Sequence, residues 1–193
     1  ELPYSVLARA FHRLGLLDEA NKTARQAWAL DPENRTEPIR AQGIVALLEG
    51  RFAEALPLLE EVRRMSGKPP SDSYLAQAYY YTGEKQRGET LLEELGRASA
   101  ASASARARST LAAFLAARGD RARAADLVRE LGAGSYMDHH VASSLGAACA
   151  QLGRLPEAVK WVRRAAETGF PCHPWYARDP MLAPLKGYPE FEQ

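Results

Sequence analysis

The sequence predicts an all-α fold, an α-solenoid of about five helix-turn-helix units closed by a proline-rich C-terminal segment. Five glycines, Gly15, Gly50, Gly83, Gly119 and Gly153, recur at intervals of 35, 33, 36 and 34 residues, each ending an Ala-rich helical stretch. A period near 34 residues belongs to stacked helical hairpins, because one hairpin cannot bury its apolar face alone. The residues around each glycine match in kind as well. Seven before it stand Ala8, Gly43, Ala76, Ala112 and Gly146; five after it stand Ala20, Ala55, Gly88, Ala124 and Ala158, small residues where a second helix must approach the first closely. Four before it come Phe11, Ala46, Tyr79, Leu115 and Cys149, and nine after it Ala24, Leu59, Leu92, Val128 and Val162. Spacings of three and four residues put one apolar stripe on each helix of a pair.

The ladder places the elements in order. Helix pairs fall near 3–15 and 18–30, 36–49 and 52–65, 71–82 and 85–96, 103–118 and 121–132, and 138–152 and 155–168. The units lie near 1–34, 35–68, 69–102, 103–136 and 137–168, and together they form one array, 1–168. Asp31-Pro32 stops the first pair, and Gly67 ahead of Pro69-Pro70 stops the second. Residues 98–105 alternate Ala and Ser; alanine favours helix, so they read as a short loop running into the first helix of unit four. Asp120 precedes the second helix of that unit, and Leu155-Pro156 opens the tenth helix with proline at a tolerated first-turn position.

These residues resemble the tetratricopeptide repeat family. Its unit has a small residue and an aromatic in the first helix, a Gly at the turn, an Ala early in the second helix and a Pro after it. Unit one carries Leu7, Ala8, Phe11, Gly15, Ala20, Ala27 and Asp31-Pro32. Later units are looser: Ala46 stands for the aromatic, Gly88 for the alanine, and unit four has its Ser/Ala stretch where proline is expected. The resemblance spans about residues 3 to 168. It implies a right-handed solenoid and a non-catalytic protein-interaction role, and it does not name a ligand.

Composition narrows the functional classes. Lys+Arg 25 against Asp+Glu 24 gives a formal charge of +1, so no global field recruits nucleic acid or an anionic membrane. No apolar run approaches the roughly 20 residues a membrane span needs. Residues 1 to 20 are amphipathic without the layout of a signal peptide. The chain reads as an excised domain of a larger protein; a cytoplasmic location is favoured, an extracytoplasmic one if the parent is a membrane-tethered regulator. Of the two cysteines, Cys149 occupies a core position of unit five and Cys172 lies in the tail. Their pairing is left open.

From Thr168 onward the sequence changes character. Pro171, Pro174, Pro180, Pro184 and Pro189 alternate with Phe170, Trp175, Tyr176, Met181, Leu182, Leu185, Tyr188 and Phe191. Prolines forbid one long helix while the apolar residues demand burial, so residues 169–193 are expected to cap the face that unit five exposes. Asp179-Pro180 opens a short helix at 180–186, and another is expected near Pro189. The run Asp179, Pro180, Leu182, Pro184, Leu185 also resembles the ends of tetratricopeptide regions in bacterial multidomain regulators. The alternative function is therefore a sensor or docking region of a larger bacterial serine/threonine kinase or transcriptional regulator.

Chemistry is thin. The chain has no Gly-rich phosphate loop, no Gly-x-Ser-x-Gly and no His-Glu-x-x-His, and no catalytic residue, cofactor or metal is expected. His139-His140 with Cys172-His173 have the right ligand types for zinc but no standard spacing, and read as surface histidines at a helix start plus an unrelated tail pair. Glu60-Glu61 and Glu93-Glu94 read as solvated faces. The arginines 106, 108, 118, 121, 123 and 129 are interrupted by Asp120, Asp126 and Glu130.

In the family this chain resembles, one flank of each first helix lines a concave groove for extended peptides. By register that flank carries Ser5, Arg9, His12 and Arg13, then Glu37, Arg40, Ile44 and Leu47, then Ser73, Gln77, Tyr80 and Tyr81, with Arg106, Ser109, Ala113, His140, Ser143 and Ala147 beyond. The expected ligand contacts are Arg9, His12, Arg13, Arg40, Gln77, Tyr80, Tyr81, Arg106 and His140. A groove cationic at its start and aromatic in its middle suits a protein or peptide segment with an acidic end. The positions of the chaperone-tail clamp hold Ser5, Arg9, Ala41, Pro70 and Tyr74, so that clamp is not expected. Self-association is left open.

Overall fold

The computed structural model of the chain describes residues 3–33, 35–66, 73–97 and 100–192. The expected stops at Gly67, Pro69 and Pro70, the clamp position Pro70, residues 98–99 and the side chain of Ser5 lie outside the described residues. Five helical hairpins follow one another: α1 (Pro3–Leu14) with α2 (Leu17–Leu30), α3 (Thr36–Leu48) with α4 (Phe52–Ser66), α5 (Tyr74–Tyr81) with α6 (Lys85–Gly96), α7 (Ala101–Ala117) with α8 (Arg121–Gly132), and α9 (His139–Gln151) with α10 (Leu155–Thr168). A short α11 (His173–Arg178) and a 3-10 helix, Pro180–Leu185, come after them. No described residue lies in a strand, and no described helix is long and apolar enough to cross a membrane. The protein is an all-helical α-solenoid of repeated hairpins.

Each ladder glycine ends the first helix of its hairpin with the same device. Gly15, Gly50, Gly83, Gly119 and Gly153 have φ of 78°, 78°, 97°, 95° and 74°, the left-handed region where a side chain is strained. At unit one the Gly15 N–H donates to His12 O at 3.2 Å and the Leu16 N–H to Phe11 O at 3.0 Å; at unit five the pair is Gly153 to Ala150 and Arg154 to Cys149. These two bonds satisfy carbonyls that the helix end would leave unpaired. The period in the sequence is thus the period of a backbone conformation.

The small residues flanking the ladder sit where helices touch. Ala20, Ala55, Ala124 and Ala158 are fully buried. In the third hairpin the helices come closer still: a Cβ on Gly88 would stand 2.6 Å from the Ala76 carbonyl oxygen, which is why alanine is absent there. Gly146 is held likewise, 2.7 Å from Val162 Cγ2.

The chain forms two compact units, Glu1–Gly88 with Pro171–Arg178, and Glu89–Phe170 with Asp179–Gln193; the division falls inside α6. In the first, α3 packs on α1, α2 and α4, α5 packs on α3 and α4, and α11 lies against α3. Ile44, Val45, Leu47, Leu48 and Leu75 form its core. In the second, α9 packs on α7, α8, α10 and the 3-10 helix, around Phe114, Leu115, Leu145, Leu182 and Leu185. Asp179 Oδ1 accepts from the Met181 N–H at 2.9 Å, so the Asp179-Pro180 start is present as a 3-10 helix, and the Gln151 amide donates to Met181 O at 2.8 Å. Near Pro189 the chain makes turns in place of the expected helix. Apolar residues left exposed cluster on the first hairpin: Tyr4, Val6, Leu7, Leu14, Leu16 and Leu30.

Candidate functional site

The first unit carries a basic corner on α1 and α3. Arg9 and Arg13 are one turn apart on α1, and Arg40 and Glu37 share a turn of α3. Glu37 Oε2 lies 3.6 Å from Arg9 and 3.7 Å from Arg40, so one carboxylate bridges two helices. His12 is only 3% exposed, and its Nδ1 has no hydrogen-bond partner among the described residues. Burial first, and then the positive charges of Arg13, Arg40 and Arg9, lower its pKa to about 3, so the ring is neutral at physiological pH. Arg13 Nε is also buried without an acceptor, and Arg13 makes no ion pair among the described residues. Each unmet buried polar atom costs about 1–3 kcal/mol. At the start of α5 and within it, Ser73 Oγ and Gln77 Oε1 are unmet in the same way among the described residues.

The tyrosines of α5 divide their roles. Tyr79 is core, with its hydroxyl donating to Glu60 Oε1 at 2.7 Å and accepting from Arg87 Nη2 at 2.8 Å, while the Arg87 guanidinium lies 4.1 Å from its ring centre. Burial and the Glu60 carboxylate push its pKa up to about 12. Tyr80 is buried beneath the Lys85 ammonium, 5.3 Å from its ring. Tyr81 packs against Phe52 at 4.6 Å and against Trp175 of α11 at 6.3 Å. That same tail segment crosses the hairpin turns: Pro174 would meet a Cβ on Gly15 at 3.0 Å, and Arg178 one on Gly50 at 3.7 Å. The chain's own tail therefore lies where the aromatic part of the groove was expected to meet a ligand.

In the second unit the arginines are engaged. Arg106 Nε donates to Asp138 Oδ2 at 2.8 Å, the Tyr136 hydroxyl donates to the same oxygen at 3.0 Å, and Asp138 Oδ1 caps α9 through the Val141 N–H. Arg108 pairs with Glu130 at 2.8 Å, Arg118 with the buried Glu89 at 2.8 Å, Arg129 with Asp126 at 2.6 Å and Arg123 with Asp120 at 3.4 Å; Arg121 donates to Leu152 O at 2.6 Å. Asp120 thus serves arginines, with no side-chain bond capping α8. The His140 ring lies tilted against Phe170, with ring centres 5.7 Å apart. Cys149 and Cys172 are buried free thiols, pushed up to about 12 and about 11 by burial. Among the described residues no group of three or more His, Cys, Asp or Glu side chains could hold a metal.

Of the expected contact residues, Arg9, Arg13, Arg40, Gln77, Tyr81, Arg106 and His140 are partly exposed, while His12 and Tyr80 are buried. Ile44, Leu47, Ser109, Ala113, Ser143 and Ala147 from the same flank are packed. The structure brings Arg9, His12, Arg13 and Arg40 together in the first unit; Arg106 and His140 belong to the second.

The tetratricopeptide repeat family model matches residues 40–61, 105–130 and 139–164, the second, fourth and fifth hairpins. The chain belongs to the tetratricopeptide repeat family. No curated protein matches it in sequence. Tetratricopeptide repeats generally mediate protein–protein interaction, and the family is typically a non-catalytic scaffold. Two features of these repeats escaped the sequence reading. Asp138 as the partner of Arg106 lies a full repeat away, and the signal available was its place as the N-cap of α9. The tail against Gly15 and Gly50 had only its aromatic content to announce burial.

Proposed function

We propose that this chain is a non-catalytic protein-interaction scaffold that binds an acidic peptide or the acidic segment of a partner on its first repeats. Arg9, His12, Arg13 and Arg40 are the contacts, and Gln77 extends the surface toward the third repeat. One observation carries the reading. Every arginine of the 106–129 cluster has a carboxylate or carbonyl partner, whereas Arg13 has a buried Nε–H and no ion pair among the described residues. A donor left unmet inside a basic corner is suited to a ligand carboxylate, through the stronger class of hydrogen bond. We read residues 1–168 as the scaffold and 169–193 as its closing segment.

A peptide array containing acidic, neutral and basic segments tests this. Acidic segments are expected to bind, and Arg13→Ala to weaken them roughly tenfold to a hundredfold, the equivalent of one charge-assisted bond. Absence of binding by acidic segments, or equal binding by the variant, sinks the proposal.

A further inference from the structure

We propose that His12 and Arg13 form an anion seat that takes a carboxylate and a proton together, the proton going to the His12 ring as the carboxylate arrives. This rests on the acidic-ligand reading above and states how that ligand is held and controlled. Two buried polar atoms on consecutive residues of α1 lack hydrogen-bond partners among the described residues, His12 Nδ1 and Arg13 Nε. A carboxylate offers two acceptor oxygens. One accepts from the Arg13 Nε–H, and the other requires a donor that neutral His12 does not reliably supply but an imidazolium does.

The charges around the ring explain why the proton waits for the ligand. On its own helix it faces Arg9 and Arg13, and across from it on α3 stands Arg40, with Glu37 beside Arg9 and Arg40. The charged groups of α2, which also packs against α1, are Asp18, Glu19, Lys22 and Arg25, and the three arginines of α1 and α3 dominate the ring's charge balance. The tail brings Cys172 close to Gly15, one turn on, and that thiol is uncharged at neutral pH. Among the described residues the charges around the ring are net positive, and that charge and burial both expel its proton. A bound carboxylate reverses the sign of the nearest charge and supplies the acceptor. The free and bound proteins then differ in protons held, and by linkage affinity rises as pH falls through the bound-state pKa of the ring, approaching tenfold per pH unit below it until the free-state pKa is reached. A neutral peptide gains nothing from lower pH.

The test uses the full chain and isothermal titration calorimetry between pH 5.5 and 8, in buffers of different ionisation enthalpy so that protons are counted. One probe is acetyl-Gly-Glu-Gly-Glu-Gly-amide, whose side-chain carboxylates stay ionised in this range. A second, acetyl-Gly-Gln-Gly-Gln-Gly with a free terminus, distinguishes a chain-end carboxylate from a side chain. The expected result is uptake of up to about one proton, affinity rising toward low pH with at least one probe, and loss of both effects in His12→Gln while binding persists. Binding with no proton exchange and the same affinity from pH 5.5 to 8 overturns the inference and leaves the acidic-ligand reading standing. Failure of both probes to bind overturns that reading and this inference with it. If His12→Gln does not fold, the ring resonance of His12 in the unaltered chain decides: it must titrate within this range only when the probe is present, and an unchanged titration is fatal.

Discussion

His12 gives the free protein a pH response. Its pKa is about 3 when folded against 6.5 as the unfolded reference, so between these values the unfolded chain holds a proton that the folded one lacks. The stability associated with a neutral ring is complete above about pH 6.5 and falls as pH drops through the window. At pH 5 the loss is about 2 kcal/mol, from ~1.36 kcal/mol per pH unit. Urea unfolding at pH 7 and pH 5 measures it, and His12→Gln is expected to flatten the difference; an equally steep fall in that variant would refute the assignment. Gly88 offers a second single-residue test. Gly88→Ala drives a Cβ into the Ala76 carbonyl, and a cost of about 1–3 kcal/mol is expected in thermal or urea unfolding, although alanine is the better helix former. At this scale the sequence was informative wherever register decides the answer. Tyr79 and Cys149 could be placed in the core by counting from a glycine. The burial of His12 was not readable that way, because a polar residue on the groove flank carries no sign of how closely its neighbours pack.

The hairpins show why helix positions were readable to within two or three residues. Each glycine terminates its helix through a conformation that only glycine adopts easily, and that conformation is local. Starts are less well marked: the second helices of the hairpins largely lack side-chain caps, and Asp120 gives its carboxylate to Arg118 and Arg123. α9 is the exception. Asp138 caps it and also holds Arg106 and Tyr136. Asp138→Ala is therefore expected to cost about 2–4 kcal/mol, more than a cap alone, because it also strands a part-buried guanidinium. Faster amide exchange in the first turn of α9 should accompany the loss. A cost no larger than that of an ordinary surface substitution would show that Arg106 finds another acceptor.

Stacking makes equivalent residues unequal along the whole chain. Leu7, Leu75 and Leu145 occupy the same place eight residues before their glycines, yet Leu7 is 43% exposed while Leu75 and Leu145 are fully buried. Leu145→Ala is expected to cost about 2–5 kcal/mol, and Leu7→Ala well under 1 kcal/mol, by calorimetric melting. Equal costs would refute the stacked register. The solenoid itself was legible because repetition multiplies a weak local signal. The course of the tail was not, since residues 171–178 touch Gly15, Gly50 and Tyr81, partners far away in sequence that no period connects. That course has a consequence for how the protein is made. Domains usually mature from the N-terminus as the ribosome delivers them. Here the first unit lacks Pro171–Arg178 until the fourth and fifth repeats have been synthesised. The first unit is therefore completed only after most of the second has been made, and its hairpin turns at Gly15 and Gly50 stay uncovered until Pro171–Arg178 has emerged.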